Sequence, residues 1–296
     1  MQKIVPHLWY DKEAKEAAQF YVSLFEQSKL SDVKTIKNPP PFSDAELVSF
    51  ELAGQQFMAI SAGPYFNFNP SISLMVACIT AEEVDRKWEA LSVGGTELMA
   101  LGEYPFSKRY GWIQDRYGLS WQLMLVDGGQ EVQKITPNLL FSDGVCGKAE
   151  EAIRYYAEVF ENSEIGMISR YGEGEAAASK AKVNYAAFKL DGVALSAMDN
   201  GYDVNYTFNE AFSLIVNCND QKEIDYFWER LSAVPEAEQC GWLKDKFGLS
   251  WQIVPSNMDE ILFGGSEDEV RRVTEAFLNM KKFDLEVLEK VRMGIQ

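Results

Sequence analysis

The sequence predicts an α+β protein built as a tandem duplication, each copy holding two runs of strand, helix and three strands. Three observations predict it. Residues 111–122 read GWIQDRYGLSWQ and residues 241–252 read GWLKDKFGLSWQ, sharing Gly111/Gly241, Trp112/Trp242, Asp115/Asp245 and the run GLSWQ. KIVPHLWYD (3–11) is echoed by KITPNLLFSD (134–143). AKEAAQFYVSLFEQS (14–28) is echoed by AEEAIRYYAEVFENS (149–163). The motifs keep one order in both copies, so the repeat is roughly 130 residues, an ordinary domain size. The expected boundaries are 1–128 for the first copy, 134–256 for the second and 257–296 for a C-terminal helical tail.

In the first copy IVPHLWY reads as a strand that ends at Asp11. AKEAAQFYVSLF follows as an amphipathic helix, with Ala17, Phe20, Tyr21, Leu24 and Phe25 at helical spacing. Three strands come next, LSDVKTI, ELVSFELA and QQFMAIS, with Ala53-Gly54 as the hairpin turn. After the loop GPYFNFNP, SISLMVAC begins a second run. Its helix is AEEVDRKWEALS, with Val84, Trp88 and Leu91 inward and Gly94-Gly95 as its stop. TELMAL, RYGWIQD and LSWQLMLV complete it, with a turn at Tyr117-Gly118.

The second copy repeats this order but is abbreviated. SAVPEAEQC stands where the first has SVGGTELMALGEYPFSKRY, so one strand or its loop is cut back. The linker DGGQEVQ (127–133) is short, which predicts packed rather than freely swinging domains. The tail carries Val270, Val273, Phe277 and Met280 at helical spacing and should dock on a domain face.

Composition narrows the function. The net charge of −17 argues against nucleic acid, whose phosphates demand a basic surface. It is compatible with a cationic small ligand, but a solubility charge is the ordinary reading. No run approaches the roughly 18 apolar residues of a membrane span, and the N-terminus lacks a signal-peptide stretch, so the cytoplasm is the expected compartment. The four cysteines form no CxxC pair and no Cys/His cluster, which predicts reduced thiols and no zinc site.

The set PxLWxD, a helix ending in FYxxLF, and GWLKDKFGLSWQIVP resembles the PhnB-like branch of the vicinal oxygen chelate superfamily, often filed as 3-demethylubiquinone-9 3-methyltransferase. The resemblance covers nearly the whole chain. It implies glyoxalase-like domains in which each βαβββ module curls into a half-cup, two modules make one cup, and helices lie outside. Single-domain relatives commonly form homodimers. Here the second copy would supply that partner, giving an internal pseudo-dimer within a monomer or homodimer. The expected arrangement is one separate cup per repeat about a pseudo-two-fold axis. The methyltransferase name finds no support in the residues. Gly94-Gly95, Gly128-Gly129 and Gly264-Gly265 do not form the glycine-rich strand-to-helix turn that usually holds S-adenosylmethionine.

Metal-dependent relatives ligate a divalent ion through the first and last strands of each module. The resemblance places those positions at His7, Ala59, Ser71 or Ser73, and Gln122 in the first copy. In the second they fall at Asn138, Ala197, Ala211 or Ser213, and Gln252. Only His7 and Gln122 offer donors in the first set, so no tight metal and no other cofactor is expected, a divalent ion at that pair being the exception. His7, the only histidine, points with Val5 and Trp9. It is either the catalytic acid/base of a cup shared with Gln122 or a hydrogen-bonded residue on a sheet. Trp9, Gln122, Asn138 and Gln252 are the other candidate ligand contacts, joined by Tyr65 and Phe66 of the aromatic loop. Trp121 should face the helices. Lys108 and Arg109 form a small basic spot near the end of the first copy. Two functions remain open. One is a binder of a small, partly apolar molecule, like the antibiotic-binding members of the superfamily. The other is a metal-dependent isomerase, lyase or dioxygenase working in the first cup.

Overall fold

The computed structural model describes residues 2–37, 43–127 and 133–295, so linker residues 128–132, with the Gly128-Gly129 pair, lie outside it. The first module comprises β1 (Ile4–Tyr10), α1 (Ala14–Leu24), β2 (Lys29–Ile36), β3 (Ala45–Leu52) and β4 (Gln55–Ser61). The second comprises β5 (Ile72–Cys78), α2 (Ala81–Ser92), β6 (Thr96–Tyr104), β7 (Ser107–Gln114) and β8 (Ser120–Leu125). The third comprises β9 (Ile135–Phe141), α3 (Ala149–Val159), β10 (Glu164–Arg170), β11 (Val183–Leu190) and β12 (Val193–Asp199). The fourth comprises β13 (Phe212–Cys218), α4 (Gln221–Leu231), β14 (Trp242–Lys244) and β15 (Ser250–Pro255). The tail forms α5 (Met258–Phe263), α6 (Glu267–Leu278) and α7 (Leu285–Arg292).

Local chemistry explains these boundaries. Ala53 and Gly54 adopt φ of 49° and 79°, and Asp191 and Gly192 adopt 46° and 80°, the left-handed pair that a two-residue hairpin requires. Thr80 and Asp220 cap α2 and α4 by accepting from the amides of Glu83 and Glu223. Ser266 and Glu269 form a reciprocal capping box on α6. The abbreviation falls where the sequence places it. A 3-10 turn, Pro235–Ala237, stands where β6 would be, and β14 has only 3 residues.

Sheet pairing overturns the expectation of one cup per repeat. The strands form a 7-stranded sheet, β14-β15-β13-β1-β4-β3-β2, and an 8-stranded sheet, β10-β11-β12-β9-β5-β8-β7-β6. The first module therefore shares a sheet with the fourth, and the second with the third. The seams are antiparallel pairs between first strands, β1 with β13 and β5 with β9. The reason lies in the connections. The short link after β8 keeps β9 in the same sheet, on the other side of β5. The loops at 62–71 and 200–211 instead change sheets, and Asn69 Nδ2 and Asn209 Nδ2 tie them by donating to Thr207 O and Asn67 O, each at 2.9 Å.

What stays within a repeat is the helix-side core. Trp121 is fully buried, stacks on Phe25 at 5.9 Å and meets Tyr21 of α1 at 5.1 Å, so it does face the helices. Trp251, Phe160 and Tyr156 repeat the arrangement. Each repeat thus uses its helix-side faces for its own core, and the free edges of β1, β5, β9 and β13 pair across repeats. Among the described residues no helix is long and apolar enough to cross a membrane.

Candidate functional site

Alternation along β1 sends Ile4, Leu8 and Tyr10 into the helix-side core and Val5, His7 and Trp9 to the opposite face. On that face of the seven-stranded sheet lies a cavity of about 1130 Å³. Its floor comes from β1, β3, β4, β13 and β15, through residues such as Leu47, Met58, Ile60, Ile215 and Val254. Trp242 meets His7 edge-on at 5.4 Å and Trp9 at 6.0 Å, and Phe66 meets Trp9 at 5.1 Å. Trp9 is held by an Nε1 hydrogen bond to the Gly63 carbonyl at 2.8 Å. The tail closes the cavity with Met258, Leu262, Phe277 and Phe283. It reaches both rims. Lys34 of β2 pairs with Asp259 at 3.0 Å. The amides of Cys240 and Gly241 donate to Met280 O and Lys281 O at 2.8 and 2.7 Å. Helix α6 ends at Leu278, two residues short of the Met280 end of its apolar series.

The interleaved sheets redistribute the expected site residues. His7 shares its cavity with Gln252, Trp9 and Phe66, whereas Gln122 and Asn138 belong to the other sheet. His7 and Gln122 therefore form no common site, whether for acid/base chemistry or for a metal. Tyr65 is 72% exposed and stands outside the cavity wall. Arg109 lies on β7 of the eight-stranded sheet, paired with Asp85 at 2.7 Å, so the Lys108–Arg109 spot does not serve the His7 cavity. Ala59 and Ala197 point into the helix-side core, because the cavity-facing phase of β4 falls on Met58 and Ile60.

His7 is 2% exposed, and Nδ1 lies 3.5 Å from Ser213 Oγ, which accepts from Gln252 Nε2 at 2.9 Å. Burial pushes its imidazole down to about 3, so it is neutral at physiological pH. A base held below its unfolded value of 6.5 contributes stability that is present above that value and lost as pH falls toward about 3. Between pH 6.5 and 5 the wild type is expected to lose roughly 1.5 kcal/mol more unfolding free energy than His7→Asn. Urea unfolding at both pH values checks this, since the carboxylates common to both proteins cancel. Parallel losses would show that the imidazole is not held neutral.

The equivalent face of the eight-stranded sheet is knitted together by its own side chains. Tyr110 Oη donates to Gln122 Oε1 and Gln122 Nε2 to Ser73 Oγ, both at 2.7 Å. Ser196 Oγ donates to Asn138 Oδ1 at 2.9 Å, while Asn138 Nδ2 is buried without a partner among the described residues.

The family model described as 3-demethylubiquinone-9 3-methyltransferase matches residues 2–124 and again 133–254. The chain belongs to this family. It carries the family unit twice, in the PhnB-like branch of the vicinal oxygen chelate fold. It is 42% identical to the PhnB protein from Bacillus cereus over 42% of this chain and 100% of that one, with a TM-score of 0.40. A protein from Staphylococcus aureus is 31% identical over 42% of this chain and 97% of that one, at a TM-score of 0.18. Glyoxalase I from Zea mays aligns over 86% of this chain and 94% of its own at a TM-score of 0.53 and 12% identity, a likeness of fold alone. No individually curated protein sequence matches the chain.

Metal-dependent members of the fold imply a divalent ion, and the residues present do not fit one. Around His7 the first- and last-strand positions are Met58, Ser213 and Gln252, a thioether, a hydroxyl and an amide. Asn138, Ser73, Ser196 and Gln122 are their counterparts. Neither set holds a carboxylate, and among the described residues no three His, Cys, Asp or Glu gather at ligand spacing.

The family motif GWxxDxxGxSWQ has a structural use that sequence reasoning missed. Asp115 Oδ2 accepts from Tyr21 Oη at 2.8 Å and Trp121 Nε1 at 2.9 Å, and Oδ1 from the amides of Tyr117 and Leu119 at 2.8 and 3.1 Å. Asp245 is held alike by Tyr156, Trp251, Phe247 and Leu249. Burial pushes both carboxyls up, against the pull of their donors. Their recurrence together with a helix tyrosine and a strand tryptophan was the available signal.

Proposed function

We propose that the protein is a small-molecule binder of the glyoxalase/bleomycin-resistance type, and that its site is the cavity of the seven-stranded sheet. The reading carries no tight metal site and no methyl transfer. One observation supports it most: a large, mainly apolar cavity with a few convergent polar groups is the general form of a small-molecule site. The other sheet's equivalent polar groups are largely satisfied by one another, which supports an asymmetric division in which that face braces the first. The four free cysteines, two of them buried, support a reducing, cytoplasmic setting.

Nile red, a neutral apolar dye, tests the reading. Its fluorescence titration is expected to show one saturable site per chain. Leu47→Trp, which fills the cavity from β3, is expected to weaken it at least about tenfold, a change of about 1.4 kcal/mol. Tyr185→Trp on β11 of the other sheet should leave it within twofold. The reverse pattern would contradict the assignment.

A further inference from the structure

We infer that this cavity reads a neutral head group offering a hydrogen-bond acceptor beside a donor, a carboxamide or lactam, carried on an apolar body. The inference rests on the cavity being the ligand site and adds the chemistry of what it selects.

Two polar atoms of largely buried side chains carry it. His7 is 2% and Gln252 7% exposed, and both line the cavity. Gln252 Nε2 is spent on Ser213 Oγ at 2.9 Å, and Gln252 Oε1 makes no hydrogen bond among the described residues. We take Ser213 Oγ, which accepts from Gln252 Nε2, to give its own proton to His7 Nδ1, 3.5 Å away. That places the imidazole proton on Nε2, which likewise has no partner among the described residues. The floor thus presents one donor, His7 Nε2–H, and one acceptor, Gln252 Oε1. A carboxamide or lactam satisfies both with its C=O and N–H.

The duplication shows what this glutamine requires. In the other sheet the counterpart carbonyl, Gln122 Oε1, accepts the Tyr110 hydroxyl at 2.7 Å. The position matching Tyr110 is Cys240, whose Sγ is turned to the carbonyls of Phe277 and Leu278 at 3.6 and 3.7 Å. The donor that one copy supplies from its own chain is missing in the other, and a ligand N–H takes its place.

The charges select against ions. Of the charged residues lining the cavity, Lys29 pairs with Glu51 at 3.2 Å, Asp259 with Lys34 at 3.0 Å and Glu210 with Lys244 at 2.7 Å, while Glu236 is exposed. No lining cation is left over for a carboxylate. A carboxylate would face the Gln252 carbonyl and an ammonium the His7 N–H, each charge buried without a counter-ion, which is far costlier than burying a neutral amide. The net charge of −17 is therefore carried elsewhere than on this floor.

Three probes with one aromatic body separate the head groups: naphthaleneacetamide, naphthaleneacetate and naphthylethylamine, titrated calorimetrically into the full chain at neutral pH. The amide is expected to bind at least about tenfold tighter than either ion. Gln252→Leu should weaken the amide about tenfold while Nile red still titrates to one saturable site per chain, the dye reporting an intact cavity. Equal or tighter binding of the acid or the amine overturns the inference, as does amide affinity indifferent to Gln252→Leu. If Nile red binds and no naphthalene probe does, the head-group inference fails while the cavity stands. If neither the dye nor the amide binds, the proposed site itself fails.

Discussion

Asp245→Ala is expected to cost about 4 kcal/mol of unfolding free energy, enough to threaten the fold of a typical domain. The carboxylate is 1% exposed and accepts from Tyr156 Oη at 2.6 Å, Trp251 Nε1 at 2.9 Å and the amides of Phe247 and Leu249 at 2.8 and 3.1 Å. Alanine orphans all of them in the interior, where each unsatisfied donor costs about 1–3 kcal/mol, the phenol being freest to turn elsewhere. Asp245→Asn keeps an acceptor for the two amides and should cost about half as much. Asp115→Ala is expected to behave alike, because it joins α1 to the β7–β8 turn as Asp245 joins α3 to the β14–β15 turn. Urea unfolding monitored by circular dichroism measures these losses. A cost below about 1 kcal/mol would mean that the motif aspartates are not the pins of the helix-side cores.

Phe283→Ala is expected to free the tail and open the cavity. Phe283 is 1% exposed, and its ring occupies the space above Gly241, where a Cβ would come within 2.5 Å of Phe283 Cε2. Gly241 therefore makes room for the tail, as Gly111 makes room for Trp88 in the first copy. Deleting the ring should cost about 3 kcal/mol, mostly in local rather than global stability, since the tail holds on through this edge, through Gln221 and Asp225 of α4 and through the Lys34–Asp259 pair. The expected readout is a fall of at least about tenfold in Nile red affinity, with a smaller shift of the global unfolding midpoint than in Asp245→Ala. Unchanged dye binding would show that the tail is not a wall of the site.

Much of this architecture is legible in the chain. The strand phase of β1, the helix-facing Trp121, the Ala53-Gly54 turn and the missing β6 counterpart all follow from periodicity, turn chemistry or the length of the repeat. The partner of each first strand does not. Val5, His7 and Trp9 alternate identically whether β1 pairs with β5 or with β13, because local pattern fixes which face is buried and leaves open which edge is joined. Hence His7 belongs with Gln252 rather than Gln122. A shift of one residue along β4 sends Ala59 to the core instead of the cavity, for the same period-two reason. The tail was legible as an amphipathic helix, but the face it covers depends on a rim shortened some forty residues earlier in the chain.

The proposed binding site lies between repeats, in the seven-stranded sheet and beneath the tail. Hydrogen exchange of the full chain, with and without saturating Nile red, tests it most directly. Dye-induced protection is expected in the tail at 258–283 and in the rim segments 62–66 and 236–242, with residues 104–112 and 194–198 of the other sheet unchanged. Protection confined to 104–112 and 194–198, with the tail exchanging as in the free protein, would contradict it.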